Sequence, residues 1–215
     1  MWPTNDKTEQ LLLGVKAGND DAVNQLIERH RGAVLRMVQM RLDQKIRRRV
    51  DVSDVVQDVM IDVTRRLHDY IANPAMPFHL WLRHIAKDRI IDAHRRHRGS
   101  QKRSVDREHG LAVPGAEDHS TMDLAAHLCD GELTPAAAAT QREMAKRVEA
   151  AITELGEQDG EIIIMRHYEQ LSNQEVALAL GLSEPAASMR YLRAVRRLRE
   201  MLTGSEGEGH ANDLR

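Results

Sequence analysis

The chain has 215 residues, with 31 Lys and Arg against 33 Asp and Glu, a formal net charge of −2 and only 3% aromatic residues. Its hydrophobic fraction of 41% is enough for aliphatic cores in one domain or two small ones. The single cysteine, Cys129, excludes an internal disulfide, and no apolar run approaches the ~18 residues of a membrane span. The N-terminus lacks a basic segment followed by an apolar one, so we expect a cytoplasmic protein without membrane insertion.

The first 50 residues predict two helices and a basic connector. Thr8 can cap a short helix that Gly18 ends, and Asn19 with the two acids after it can begin a longer one. Residues 41–49 hold five basic residues and one acid. We favour a solvated connector there over a secondary contact with DNA or a protein. No alternating run of β-branched residues occurs in the chain, which favours an all-α fold.

The stretch Asp51 to Gly99 predicts two amphipathic helices of opposite charge. The first has an apolar stripe at helical spacing: Val56, Val59, Met60, Val63, Leu67 and Tyr70. Asp54, Asp58 and Asp62 recur every four residues and predict an acidic ridge beside it. Pro74 and Pro77 break the pattern, and Pro77 is well placed to open the second helix. From Arg83 to Arg103, eight Lys and Arg face two Asp, which predicts binding to a polyanion.

Three segments of this stretch, in this order, resemble conserved region 2 of bacterial RNA polymerase sigma factors, most closely the extracytoplasmic-function group: Asp54-Val55-Val56-Gln57-Asp58, then PFHLWLRHIA from Pro77, then IDAHRR from Ile91. The resemblance implies docking on the clamp helices of the polymerase largest subunit through Asp54, Val55, Gln57 and Asp58. It implies reading and melting of the minus-10 promoter element through Asn73, Trp81, His84, Lys87, Asp88, Arg89, Asp92, Arg95 and Arg96.

Simpler roles remain open for several of these residues. The acids can form a solubilising face, and Trp81 can belong to the core. Asp88 and Asp92 can pair only with neighbouring arginines. The loop 72–76 could pocket a flipped base, although Met76 stands where the family often has a basic residue.

Residues 104–134 hold seven acids and one Arg and predict an acidic linker, placed at 100–133, with at most a short helix near 123–128. A plain tether and, by the resemblance, a segment threaded towards the polymerase active-site cleft are both open. Thr134-Pro135 then predicts a new helix to about Leu155, followed by a short helix over 162–168. The tail from Thr203 predicts disorder.

Residues 173–192 have the layout of a helix-turn-helix. Ser172 and Glu175 form a capping box, Ala177 is small where two helices would cross, and Gly181 lies in the turn. Leu171 through Leu198 resembles sigma region 4, which binds the minus-35 element. The contacts this implies are Ser183, Glu184, Ala186, Ala187, Ser188, Arg190, Tyr191, Arg193 and Arg197. Ala186 and Ser188 stand where the family often has threonine and lysine, so direct contacts there are open.

We therefore predict two small helical domains, 8–99 and 134–202, forming a sigma factor without catalytic residues or cofactors. Its implied partners are core RNA polymerase (clamp helices and flap), promoter DNA and an anti-sigma factor. A dimeric helix-turn-helix regulator without polymerase docking is the alternative. A metal-dependent enzyme is a third hypothesis, because there are eleven histidines. Its best pair, His94 and His97, lies among arginines that would repel a cation.

Overall fold

The computed structural model describes Trp2, Pro3, 5–42, 44–47, 49–99, Thr121, Leu124 and 138–204. The chain divides into two compact units, Met1–Arg107 and Glu108–Arg215. Every regular element in the described residues is helical, which confirms the prediction of an all-α, two-domain chain. None of the described helices is both long and apolar enough to span a membrane.

The first unit contains helices α1 (Asn5–Lys16), α2 (Asp20–Arg41), α3 (Gln44–Arg47), α4 (Val52–Ala72) and α5 (Phe78–Gly99). As predicted, Asn19 caps α2, its side chain accepting hydrogen bonds from the backbone N–H of Asp21 and Ala22. The prediction that Thr8 caps α1 is wrong, because α1 begins at Asn5 and Thr8 is 3% exposed inside the helix. Its hydroxyl is bonded to His30 of α2 instead.

The core of the first unit lies between α2, α4 and α5, and α1 packs on α2. All six residues of the predicted α4 stripe are buried in it. On α5, Leu82, Ile85, Ala86 and Ile90 face the same core. Pro77 precedes α5, and its carbonyl accepts from the backbone N–H of Leu80 and Trp81. The two helices thus meet along one apolar seam.

The second unit contains α6 (Ala138–Glu154), α7 (Glu157–Ile163), a π-helical turn (Ile164–Tyr168), α8 (Asn173–Leu180) and α9 (Glu184–Gly204). Helix α9 packs on α6, α7 and α8. The segment predicted as one short helix over 162–168 is an α-helix that changes to a π-turn at Ile164. Helix α9 extends past Thr203 to Gly204, and the remaining tail lies outside the described residues.

Most of the predicted acidic linker also lies outside the described residues. Two residues of it are described, and both are buried: Thr121 is 0% and Leu124 is 1% exposed. The Thr121 hydroxyl donates to the Tyr168 hydroxyl at 3.1 Å, so this part of the chain is anchored on the second unit. The linker predicted over 100–133 is therefore not solvent-exposed at Thr121 and Leu124.

His30 is a buried imidazole at the centre of the first unit. It is 1% exposed, its Nε2 lies 3.1 Å from the Thr8 hydroxyl, and its ring meets Phe78 edge-on at 5.0 Å between centroids. Burial, with smaller contributions from the charges of Arg29 and His79, lowers the pKa of His30 from 6.5 to about 4. The folded protein therefore holds this ring neutral at neutral pH.

The first unit should lose stability as the pH falls from 6.5 towards 4. In this window His30 takes up a proton in the unfolded chain but stays neutral in the folded chain. Once this protonation is complete, the free energy of unfolding has fallen by on the order of 3 kcal/mol. His30→Gln should remove this component of the pH dependence. Urea titrations followed by tryptophan fluorescence report this unit alone, because both tryptophans, Trp2 and Trp81, lie in it. The exposed His68→Gln is the matched control, and an unchanged pH slope in His30→Gln would contradict the assignment.

Candidate functional site

The N-terminal end of α4 presents the residues predicted to dock on the polymerase. Asp51 caps the helix by accepting from the Ser53 N–H at 2.8 Å, which fixes where the first turn begins. Asp54 and Gln57 are exposed and Asp58 is half-buried. The Val55 side chain is only 5% exposed and belongs to the core, so it supports this surface from beneath.

An open groove between α2 and α4 borders these residues. It has a volume of about 600 Å³ and mostly apolar walls, lined by Ile27, Arg31, Gln57, Met60, Ile61, Thr64 and Arg65. Ile61 is 42% exposed and was not among the predicted contact residues. Its position outside the apolar stripe, among the α4 acids, is the sequence signal that could have identified it. The acidic end of α4 thus adjoins an exposed apolar surface.

The predicted acidic ridge does not continue to Asp62, which is 7% exposed. Its Oδ2 accepts from Arg89 Nε at 2.5 Å and also contacts Arg89 Nη2, so the pair joins α4 to α5. The hydrogen bond from Arg89 to Asp62 raises the pKa of the guanidinium above its usual value. Arg89 also lies 3.4 Å from Asp92. This predicted minus-10 contact is therefore engaged within the protein.

A second cleft, of about 400 Å³, lies between α4 and α5 and brings together residues predicted to dock on the polymerase and residues predicted to bind the minus-10 element. It is lined by Asp58, Ile61, Asp62, Arg65, Arg89, Asp92, Arg95 and Arg96. Arg96 Nη2 lies 3.6 Å from Asp58 Oδ2, and their side chains are 61% and 48% exposed. Arg95 is exposed, as are Arg96 and Asp88, while His84 and Lys87 are half-buried. The predicted basic surface on α5 is thus bordered by carboxylates of α4.

The loop between α4 and α5 is held by an aromatic cluster. Tyr70, Phe78 and Trp81 pack together, with ring centroids 4.7 Å apart for Tyr70 and Trp81. The Tyr70 hydroxyl donates to the Met76 carbonyl at 2.9 Å, and burial raises the pKa of that hydroxyl. Asn73 caps α4 and is exposed. Trp81 is half-buried, so one part of the ring packs in the core and another reaches the surface beside the loop.

In the second unit, α8 and α9 form the predicted helix-turn-helix. The capping box of Ser172 and Glu175 is confirmed. Gly181 has φ +64°, and the Leu182 N–H donates to the Ala177 carbonyl at 2.8 Å, which closes α8 with a Schellman motif. The Asn173 amide nitrogen donates to the Glu184 carbonyl at 3.1 Å and holds the two helix starts together.

The predicted minus-35 contacts separate into three groups on α9. Exposed residues are Ser183, Glu184, Ala186, Arg193 and Arg197, and half-buried ones are Ser188, Arg190 and Tyr191. Ala187 is 0% exposed and packs between the helices. The Tyr191 hydroxyl lies 2.9 Å from His167 Nε2, and Arg166 lies 5.6 Å from the Tyr191 ring centroid. Tyr191 therefore anchors α9 to the π-turn.

Of the histidine pair considered for a metal site, the structure describes only the His94 side chain. His94 Nε2 lies 3.4 Å from the Arg41 carbonyl, and the His97 side chain lies outside the described part. Within the described ranges, no group of three or more His, Cys, Asp or Glu is placed to hold a metal ion.

Family models match both units. The model described as Sigma-70 region 2 matches residues 26–100, and that described as Sigma-70, region 4 matches residues 145–198. The first match contains α4 and α5 with their charged surfaces, and the second contains the helix-turn-helix. Together the two matches cover more than half of the chain.

Two curated proteins align over most of the chain. RNA polymerase sigma factor NccH of Alcaligenes xylosoxydans xylosoxydans is 30% identical over 203 residues, 92% of this chain and 96% of NccH. RNA polymerase sigma factor CnrH of Cupriavidus metallidurans is 29% identical over 186 residues, 86% of this chain and 89% of CnrH. A solved structure of CnrH in complex with the cytosolic domain of CnrY has the same fold, with a TM-score of 0.54, 23% identity, and coverage of 93% of this chain and 99% of that one.

Asp62→Asn should destabilise the first unit by about 1–3 kcal/mol, because the charge-assisted hydrogen bond that joins buried Asp62 to Arg89 would lose its carboxylate. The matched control is Asp54→Asn, the same change two turns earlier on α4 at an exposed position, where a loss below about 0.5 kcal/mol is expected. Urea unfolding followed by tryptophan fluorescence measures both. Equal losses in the two variants would show that the Asp62–Arg89 pair does not stabilise the helix seam.

Proposed function

The chain belongs to the sigma-70 family as an extracytoplasmic-function sigma factor that directs promoter-specific transcription initiation, and from this premise we propose which of its surfaces binds which partner. RNA polymerase and promoter DNA are the partners that membership of the family implies. Sigma factors in general are not enzymes. We propose that this chain likewise catalyses no reaction, contributes no metal or cofactor, and acts in the cytoplasm where the polymerase works.

The acidic end of α4 is the proposed docking surface for the clamp helices of the polymerase largest subunit. Asp54, Gln57 and Asp58 offer two carboxylates and an amide, and Val55 fixes their position from the core. The adjoining α2–α4 groove offers apolar area through Met60 and Ile61. A surface that combines a charged rim with an apolar centre is typical of specific protein interfaces. This combination favours docking over a merely solubilising role for the acids.

The basic side of α5 and the loop before it are the proposed surface for the minus-10 element. Lys87, Arg95 and Arg96 supply cations for the phosphates, and His84 and Asp88 lie on the same helix. Asn73 and the loop held by the Tyr70–Met76 hydrogen bond would receive an unstacked base beside the exposed part of Trp81. Arg89 and Asp92 would act by keeping α5 aligned on α4, given their mutual contact and the bond to Asp62.

Helix α9 is the proposed reader of the minus-35 element. Its first turns carry Ser183, Glu184 and Ala186 at the surface, where the N-terminal part of a recognition helix enters the major groove. Arg190, Arg193 and Arg197 follow and would contact base edges or phosphates. Ser188 is half-buried beside them. Ala187 and Tyr191 would set the position of the helix instead of touching DNA, because one is buried and the other is bonded to His167.

We also propose that an anti-sigma factor holds the free protein. The support is the relative CnrH, whose structure is known in complex with the cytosolic domain of CnrY. The flap of the polymerase is a further proposed partner, for the second unit. A pull-down from native lysate that recovers polymerase subunits but no other stoichiometric protein would contradict the anti-sigma proposal.

One observation carries the proposed assignment of surfaces: a single helical unit exposes a carboxylate surface on α4 and a basic surface on α5, joined by the α4–α5 cleft. Run-off transcription with core RNA polymerase from a related bacterium, on genomic promoter fragments, tests it. Protein-dependent transcripts are expected. If the protein shifts DNA but neither binds core enzyme nor yields transcripts, the dimeric regulator becomes the better explanation.

Asp54→Arg/Asp58→Arg should abolish binding to core polymerase and the transcripts that depend on it, because two positive side chains replace the carboxylates that are proposed to dock. The matched control is Asp69→Arg/Asp6→Arg, which makes the same charge change at two exposed positions of the same unit that belong neither to the acidic end of α4 nor to the lining of the α2–α4 groove. Its transcripts should stay within about twofold of wild type. Equal loss in both variants would attribute the effect to net charge and reject the surface.

Tyr70→Phe should lower open-complex formation by several-fold while leaving core binding unchanged, because it frees the Met76 carbonyl and loosens the loop. Its expected cost in folding is small, about 1 kcal/mol. Permanganate reactivity of minus-10 thymines measures the opening directly. A Tyr70→Phe protein that opens the promoter like wild type would show that the loop needs no tether.

A further inference from the structure

The outer side of α9 carries an apolar residue for which the proposed contacts have no role. Met189 is 58% exposed, in a helix whose Ala187, Ala194 and Leu198 are each 0% exposed. At ~100° per residue, Met189 lies about 160° from the mean direction of those three buried residues. It therefore lies on the side of α9 that faces away from the rest of the second unit, the side that would enter a groove.

The surroundings of Met189 are basic and free of acids. Ala186 precedes it by one turn on the same face, and Arg193 and Arg196 follow it by one and two turns, all exposed. From Pro185 to Arg199 the sequence contains no Asp or Glu. Cations at this spacing suit phosphates on either side of a groove, so the partner of this face is a polyanion.

In the DNA major groove, the distinctive apolar group on a base edge is the C5-methyl of thymine. Methionine is unbranched and polarisable, so it adapts to such a small apolar group, whereas it offers base donors and acceptors little. We propose that Met189, with Ala186 beside it, recognises a thymine methyl in the minus-35 element and is a specificity-determining residue of this sigma factor. The proposal rests on the proposed function, in which α9 enters the major groove.

A protein partner covering Met189 is the competing possibility. Leu192, 56% exposed, lies about 60° further round the helix and could extend such an apolar surface. The arginines that border Met189, with no acid from Pro185 to Arg199, favour a polyanion such as DNA over an apolar protein surface. Leu192→Ala therefore serves as a matched control, since it removes a similar exposed apolar area about 60° away around the helix.

The test uses holoenzyme assembled with the full chain and a promoter fragment that it transcribes in run-off assays. Each thymine of the minus-35 region, on both strands, is replaced singly by deoxyuridine, which removes only the methyl group. At one position the wild-type complex should weaken about fourfold in competition binding, the size expected for one methyl-sized group. Met189→Ala should bind the thymine and uracil forms equally, and Leu192→Ala should retain the fourfold difference.

Three results would overturn the proposal: no uracil-sensitive position with wild type, a Met189→Ala complex that keeps the sensitivity, or a Met189→Ala chain that loses affinity for core polymerase with the uracil response intact. The last result would assign Met189 to a protein partner. Absence of any protein-dependent transcript would instead reject the proposed function itself, so the two failures are distinguishable. Alanine is a stronger helix former than methionine, so the variant should keep α9 folded.

Discussion

The first unit depends on the packing of one apolar stripe of α4 against α2 and α5. Val59, Val63 and Leu67 are each at most 1% exposed, and burying such a side chain stabilises the fold by ~1.5–3 kcal/mol. Because the stripe uses one side of α4, its first carboxylates must point outward. The same contact turns the apolar residues of α5 inward and leaves Arg95 and Arg96 exposed, whereas Arg83 is 1% exposed. One hydrophobic contact thus creates two surfaces of opposite charge.

Ion pairs join these two surfaces at different depths. Asp62 is buried and Arg89 half-buried where they meet, so losing one partner there costs more than at the surface. Asp58 and Arg96 meet at 3.6 Å near the surface, where such a pair contributes little to stability. Arginines that face carboxylates also release fewer phosphate counterions when DNA approaches. The basic surface of α5 is therefore partly neutralised by the protein's own acids.

The second unit is built on small residues and one special turn. Ala177 and Ala187, 3% and 0% exposed, let α8 and α9 approach closely. Gly181 adopts φ +64°, which costs other residues energy, and closes α8. Spacing, capping box and glycine are all visible in the sequence, so this motif was predictable. The contact between His167 of the π-turn and Tyr191 was not predictable, because these residues are 24 apart in sequence and meet only after folding.

The sequence by itself determined the helix periods, the caps at Asn19 and Ser172, the turn at Gly181 and the family, because all of these rest on residues close together in the chain. Only the tertiary structure decided which polar residues are available to a partner. Asp62 continues the spacing of Asp54 and Asp58, yet it is buried because the distant α5 brings Arg89 to it. Thr8 is a residue type that often caps helices, but its hydroxyl is hydrogen-bonded to His30 of the next helix. Helical periodicity gives the direction of a side chain, whereas its burial depends on what the rest of the chain packs against it.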